Sequence, residues 1–152
     1  MFEEIRREKR LPFVPNFFKT LAHAPQALEA TWMAYRGTTT RGALPEALKE
    51  MIFVAISVAR DCKYCKAAHL AFCSLLNVEP EDLAALTENI DALRPERTRD
   101  IIRFSVKCAL EPRNLEPSDY QGCGNKESLT TKSSKPSLCA VSRCMRSRLQ
   151  MR

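Results

Sequence analysis

The feature that most restricts the fold is the stretch from Pro45 to Arg60. After Lys49 it reads Glu50-Met51-Ile52-Phe53-Val54-Ala55-Ile56-Ser57-Val58, apolar nearly all round. Pro45 suits the first turn of a helix, and a helix without a polar face must be covered by neighbours. It is too short to span a bilayer, which takes about 18 or more apolar residues. The neighbours read as helices too. Ala, Leu, Glu, Arg and Lys are abundant, there are only four glycines among 152 residues, and no segment alternates with a strand period. The expected fold is therefore all-α, a compact helical bundle, and 152 residues suffice for one core.

The other elements follow from punctuation. Residues 1–14 are charged and end between Pro12 and Pro15, which reads as an arm. Asn16–Ala22 suits a short helix stopped before Pro25, and Pro25 opens another to about Arg36 with Leu28, Trp32 and Tyr35 on one face. Gly37 is a stop and residues 38–42 a loop. Beyond the central helix, Asp61 is expected to cap a helix over about 62–76, with Ala68, Phe72, Leu75 and Leu76 as its core stripe and Asn77 as its stop. Pro80 starts a short helix through Leu86. Pro95 starts a longer one to about Leu110, with Ile101, Phe104, Ser105 and Cys108 at helical spacing. The domain reading is an arm (1–14), a helical domain (15–120) and a tail (121–152). The tail is rich in Ser, Lys, Arg and Cys and is expected to be disordered.

The net charge of +6 belongs to that tail, which holds seven Lys/Arg and one Glu, while the first 120 residues balance. Nucleic-acid binding is therefore not inferred from the basic average. The charged N-terminus lacks a signal-peptide apolar core, and no apolar run suggests a membrane span, so a cytoplasmic protein is the expectation. Seven cysteines cannot all pair within one chain, and in a reducing compartment a CxxC is catalytic, redox-active or metal-binding.

The chemistry concentrates in Cys62-Lys63-Tyr64-Cys65-Lys66-Ala67-Ala68-His69. A helix start stabilises a thiolate through its free N–H groups and dipole. Three-residue spacing lets the two sulfurs bridge, so one can attack an oxidant and the other resolve the product as a disulfide. His69 is one turn beyond Cys65 and suits proton relay. Glu50 comes from the central helix. Its neighbours at i+3 and i+4 are Phe53 and Val54, which puts its carboxylate at the edge of apolar packing, where partial desolvation favours a base. Zinc is disfavoured: along one straight helix Cys62 and Cys73 stand about 16 Å apart, and a zinc ion needs ligands converging at about 2.0–2.3 Å. The competing reading of the pair is two buried, inert cysteines. Cys73 and Cys108 are read as core residues, His23 as surface or packing, and Trp32 and Tyr35 as packing. No cofactor is called for.

At these residues the chain resembles the alkyl hydroperoxidase D-like family, in the carboxymuconolactone decarboxylase superfamily. That signature is a Glu, eleven residues, CxxC, three residues and His, matched by Glu50, Cys62, Cys65 and His69. Pro15-Asn16-Phe17-Phe18 and Leu44-Pro45 resemble its peroxidase-related branch, and the likeness runs over about residues 10–120. The resemblance implies an all-helical fold, trimers or higher homo-oligomers, and thiol-driven reduction of hydrogen or organic hydroperoxides. The reductant it implies is a dithiol, on a protein or a lipoyl group. On that analogy Cys65 attacks, Cys62 resolves, and Glu50 and His69 relay protons. The i+4 relation to His69 favours Cys65 as the attacking thiol, and first-turn exposure favours Cys62. Tyr64 stands where the name-giving enzyme has a His, and Cys73 departs from the usual pattern. The family continues past Tyr120 with apolar helices, whereas residues 121–152 do not read as such. The alternative expectation is thus a catalytically inactive helical assembly or interaction protein, a truncated or frame-shifted member of the family.

Overall fold

The computed structural model describes residues 1–120; the tail expected to be disordered lies outside the described residues. Among these, there are seven α-helices and no strand. They are α1 (Phe2–Lys9), α2 (Asn16–Leu21), α3 (Pro25–Tyr35), α4 (Glu46–Ala59), α5 (Lys63–Leu75), α6 (Pro80–Glu88) and α7 (Glu96–Leu110). The all-α expectation holds. The backbone divides into two compact units, one covering Met1–Gly42 and a second beginning at Ala43.

The first unit corrects two expectations. Residues 1–14 are not merely an arm, because Phe2–Lys9 is helical and Ile5, Leu11 and Val14 are buried. The helix is amphipathic: its apolar Ile5 joins Val14, Phe18, Leu28 and Trp32 in one cluster, and the buried Lys9, one turn on, lays its ammonium over the Tyr35 ring that packs on that cluster. Phe18 meets Trp32 and Tyr35 edge-on, with ring centroids 5.6 Å away in each case. Gly37 is also no stop. The chain winds on as a π-helix over Arg36–Thr40. The hydroxyls of Thr38, Thr39 and Thr40 donate to the carbonyls of Ala34, Tyr35 and Arg36 at 2.8, 2.6 and 2.7 Å. Three successive threonines satisfy the carbonyls that a widened turn strands, a local competition that a propensity reading overlooks.

In the second unit α4 is central, packing against α5, α6 and α7. Its Met51, Val54 and Ala55 join Cys73, Ala85, Leu86, Leu93 and Ile102 in an aliphatic core. The run of apolar residues is what permits contact on several sides at once. Helix α7 turns Ile101 and Ile102 inward, and the ring of Phe104 meets that of Tyr120 at a tilt, centroids 5.1 Å apart. Cys108 is half-buried rather than a full core residue.

The expected core stripe of α5 holds in part, with Ala68, Phe72 and Leu76 half-buried. Leu75 is 61 % exposed, and the buried residue of α5 is Cys73. Cys73 enters the core, and at helical spacing it shares its side of α5 with Cys65 and His69, both half-buried. Among the described residues, no helix is long and apolar enough to cross a membrane.

Candidate active site

The turn between α4 and α5 sets the position of the cysteine pair. The N–H groups of Asp61 and Cys62 donate back to the carbonyls of Val58 and Ser57 at 3.0 and 2.9 Å. This paired closure needs a left-handed residue, and Asp61 supplies it with φ 51°. Asp61 therefore ends α4 instead of capping α5, contrary to expectation. An Asp tolerates that conformation better than most side chains, which is why its two roles are hard to tell apart in a sequence. The cap of α5 is Cys62, whose Sγ accepts the N–H of Cys65 at 3.3 Å. A sulfur thus sits at the helix start, where the dipole and the free N–H groups stabilise negative charge.

Cys62 and Cys65 are joined as a disulfide, their Cα atoms 5.3 Å apart. Both are partly accessible. The pair is neither fully buried nor too distant to bridge.

One turn on, His69 Nδ1 lies 2.6 Å from Glu50 Oε2 on α4. Glu50 is not at the edge of the packing as expected; it is 0 % exposed. A buried carboxylate costs several kcal/mol unless its charge is met by partners, and His69 is one. With Nδ1 donating to Glu50, the neutral imidazole keeps its lone pair on Nε2. The ring is held flat against Phe53 (centroids 4.7 Å, planes 14° apart) and tilted toward Phe72 at 6.3 Å. These rings fix the imidazole's orientation and strip water from its faces.

Sequence reading singled out the four polar residues but not Phe53 and Phe72 as their framing. The signal was present: Phe53 is i+3 from Glu50, and Phe72 is i+3 from His69. Cys73 is fully buried, one turn beyond His69. Burial pushes its thiol up to about 12, and the negative charge of Glu50 adds to the effect. Cys73 is thus a protonated, inert thiol at neutral pH. Burial also raises the Cys108 thiol, with Asp119 adding to it. His23 is exposed and Trp32 is buried in the first unit. Among the described residues, no three His, Cys, Asp or Glu side chains converge as metal ligands.

An all-helical domain with a bridged CxxC at a helix start and a buried Glu–His pair one turn away defines an alkyl hydroperoxidase D-like architecture. The comparisons agree with that class. Residues 26–94, which include Glu50, Cys62, Cys65 and His69, match the Carboxymuconolactone decarboxylase family. The fold is similar to the alkylhydroperoxidase AhpD core of an uncharacterized peroxidase-related protein from Ralstonia eutropha JMP134. The two share 28 % identity at a TM-score of 0.72, over 80 % of this chain and 65 % of that one. It is also similar to an uncharacterized peroxidase-related protein from Silicibacter sp. TM1040, with 27 % identity and a TM-score of 0.70, over 80 % of this chain and 64 % of that one. The chain therefore spans just under two thirds of the length of these relatives. No functionally curated protein matches it.

Proposed function

We propose that this protein is a thiol-dependent peroxidase that reduces hydrogen or organic hydroperoxides through a Cys62–Cys65 dithiol/disulfide cycle. The observation that carries the reading is the 2.6 Å contact of buried Glu50 with His69, one helical turn from a bridged cysteine pair. A structural bundle gains nothing from a buried carboxylate that an apolar side chain would not supply better. A proton relay needs it.

In the proposed cycle the Cys65 thiolate attacks the terminal peroxide oxygen. The O–O bond breaks, Cys65 becomes a sulfenic acid, and the alkoxide takes a proton to leave as alcohol or water. The Cys62 sulfur then displaces hydroxide, which leaves as water, and the disulfide forms. A dithiol reductant returns both electrons. His69 supports the choice of Cys65. A helical side chain leans toward the N-terminal turn, which brings the imidazole over the turn that holds Cys65. Glu50 holds the imidazole in one tautomer and balances the charge when it is protonated. Purified protein should consume cumene hydroperoxide with a dithiol reductant, and Cys65→Ser should abolish turnover. Unchanged turnover in that variant would remove Cys65 from the mechanism.

The partner in assembly is proposed to be a second copy of this chain, in a trimer or larger ring. Tyr64, Ala68, Ala71 and Leu75 recur at helical spacing along α5, and Tyr64 and Leu75 are 51 % and 61 % exposed. An apolar stripe left outward on the helix that carries the motif suits burial between copies. Sedimentation equilibrium should give a trimer or higher species that Leu75→Glu dissociates; a monomer at micromolar concentration would refute it.

A further inference from the structure

The two sulfurs of the disulfide are not equivalent, and their surroundings differ in a way that selects a reductant. A shallow depression of about 120 Å³ is lined by Ser57, Val58, Asp61, Cys62, Lys63 and Lys66. Cys62 is on its wall and Cys65 is not. Its floor comes from the end of α4 and its rim from the first turn of α5. Two lysines against one aspartate leave that rim positive.

We infer that this depression is the entry for the reducing substrate, that Cys62 is the sulfur it attacks, and that Lys63 and Lys66 favour a thiol carrying negative charge near its sulfur. This rests on the dithiol cycle proposed above and assigns its reductive half. The incoming thiolate forms a bond to Cys62 Sγ, and the Cys62–Cys65 bond breaks with its electron pair leaving on Cys65 Sγ. The Cys65 sulfur takes its proton from solvent. The second thiol of the reductant then loses its proton and attacks its own sulfur in the mixed disulfide. That expels Cys62 as thiolate and leaves the reductant as a disulfide. Two electrons pass from the anionic dithiol to the protein. The expelled Cys62 sulfur is already placed to accept the Cys65 N–H at the helix start, so the second step ends on a stabilised thiolate. Attack at the other sulfur would bring the reductant in outside the depression that the lysines line.

The test uses the oxidised full-length protein and three monothiols of matched size: 3-mercaptopropionate, 2-mercaptoethanol and cysteamine. Rates are corrected to thiolate concentration and normalised to the same reagents acting on a small neutral disulfide. After a short exposure the freed thiol is blocked with N-ethylmaleimide, and the peptide is mapped by mass spectrometry. The adduct is expected on Cys62 and the maleimide on Cys65; the reverse pattern overturns the assignment. The anionic reagent should outpace the cationic one by about five-fold or more at low salt, and 0.5 M salt should collapse the ratio. The double variant Lys63→Glu, Lys66→Glu should reverse the order, and both positions lie at the surface, where folding tolerates the change. Equal normalised rates for the three reagents in the wild-type chain would refute charge selection. None of these readouts involves a peroxide. A protein that fails to turn over hydroperoxide but still places the adduct on Cys62 would sink the peroxidase reading and leave this one standing.

Discussion

An ion pair in each compact unit sits in opposite surroundings. In the first, Arg36 reaches Glu4 at 3.0 Å and Glu8 at 2.7 Å, all three side chains partly in water. In the second, Glu50 is fully enclosed beside His69. The first arrangement is what a fold uses when it needs only solubility and a little orientation, since such pairs contribute about 0–1 kcal/mol. The second stakes several kcal/mol on enclosed partners, His69 among them. The contrast extends to the cores. The first unit packs Phe18 edge-on against Trp32 and Tyr35, whereas the second is aliphatic, and the rings of Phe53 and Phe72 lie beside the imidazole. Aromatic material is spent on stability in one unit and on holding a reactive group in the other.

The hardest test of that contrast is His69→Ala. It leaves the Glu50 carboxylate buried without its imidazole, and unfolding free energy should drop by about 3–5 kcal/mol. Adding Glu50→Gln should return much of the stability, because the charge is gone, yet leave hydroperoxide turnover down by about 10²–10⁴-fold. Denaturant melts and peroxide assays on the single and double variants decide it. A His69→Ala variant within about 1 kcal/mol of wild type would mean that the pair carries no burial cost.

A second test concerns the buried thiol. Cys73 has its folded value raised from its ordinary 9.0 to about 12. Between those values the folded chain holds a proton that the unfolded chain has released. Its contribution to stability is therefore whole below about pH 9 and declines as pH climbs toward 12. Cys73→Ala should flatten that alkaline decline in a series of melts. In the native reduced protein at pH 8, iodoacetamide should label Cys62 and Cys65 and spare Cys73. Prompt labelling of Cys73 would show that this part of α5 opens.

The smallest effect is expected at Arg36. Arg36→Ala should cost no more than about 1 kcal/mol, fade further in high salt, and leave peroxide turnover unchanged. A loss rivalling that of His69→Ala would erase the distinction between the two units.

Much of this molecule is legible in its residues because the signals are local. Pro25, Pro45, Pro80 and Pro95 mark helix starts, and Asn77 closes α5 with φ 58°. Where local signals compete, the reading fails. Asp61 is as good a cap as a left-handed turn residue, and neighbouring hydrogen bonds decide between them. The threonines after Gly37 turn a stop into a widened helical turn. The expected stripe of α5 took in Leu75, which is exposed, and left out Cys73, which is buried. An exposed leucine on this helix is the residue that an assembly would cover.

Spacing along the chain determined that two sulfurs and an imidazole share one side of α5, because helical periodicity is a property of the backbone. It also determined that the helix before them has no polar face. Tertiary structure alone decided that Cys73 on this shared side enters the core, that Glu50 is sealed from water, and that Cys62 rather than Cys65 borders the positive depression. Those outcomes depend on how α4 and α5 roll against each other, and a rotation about a helix axis leaves no trace in the order of its residues.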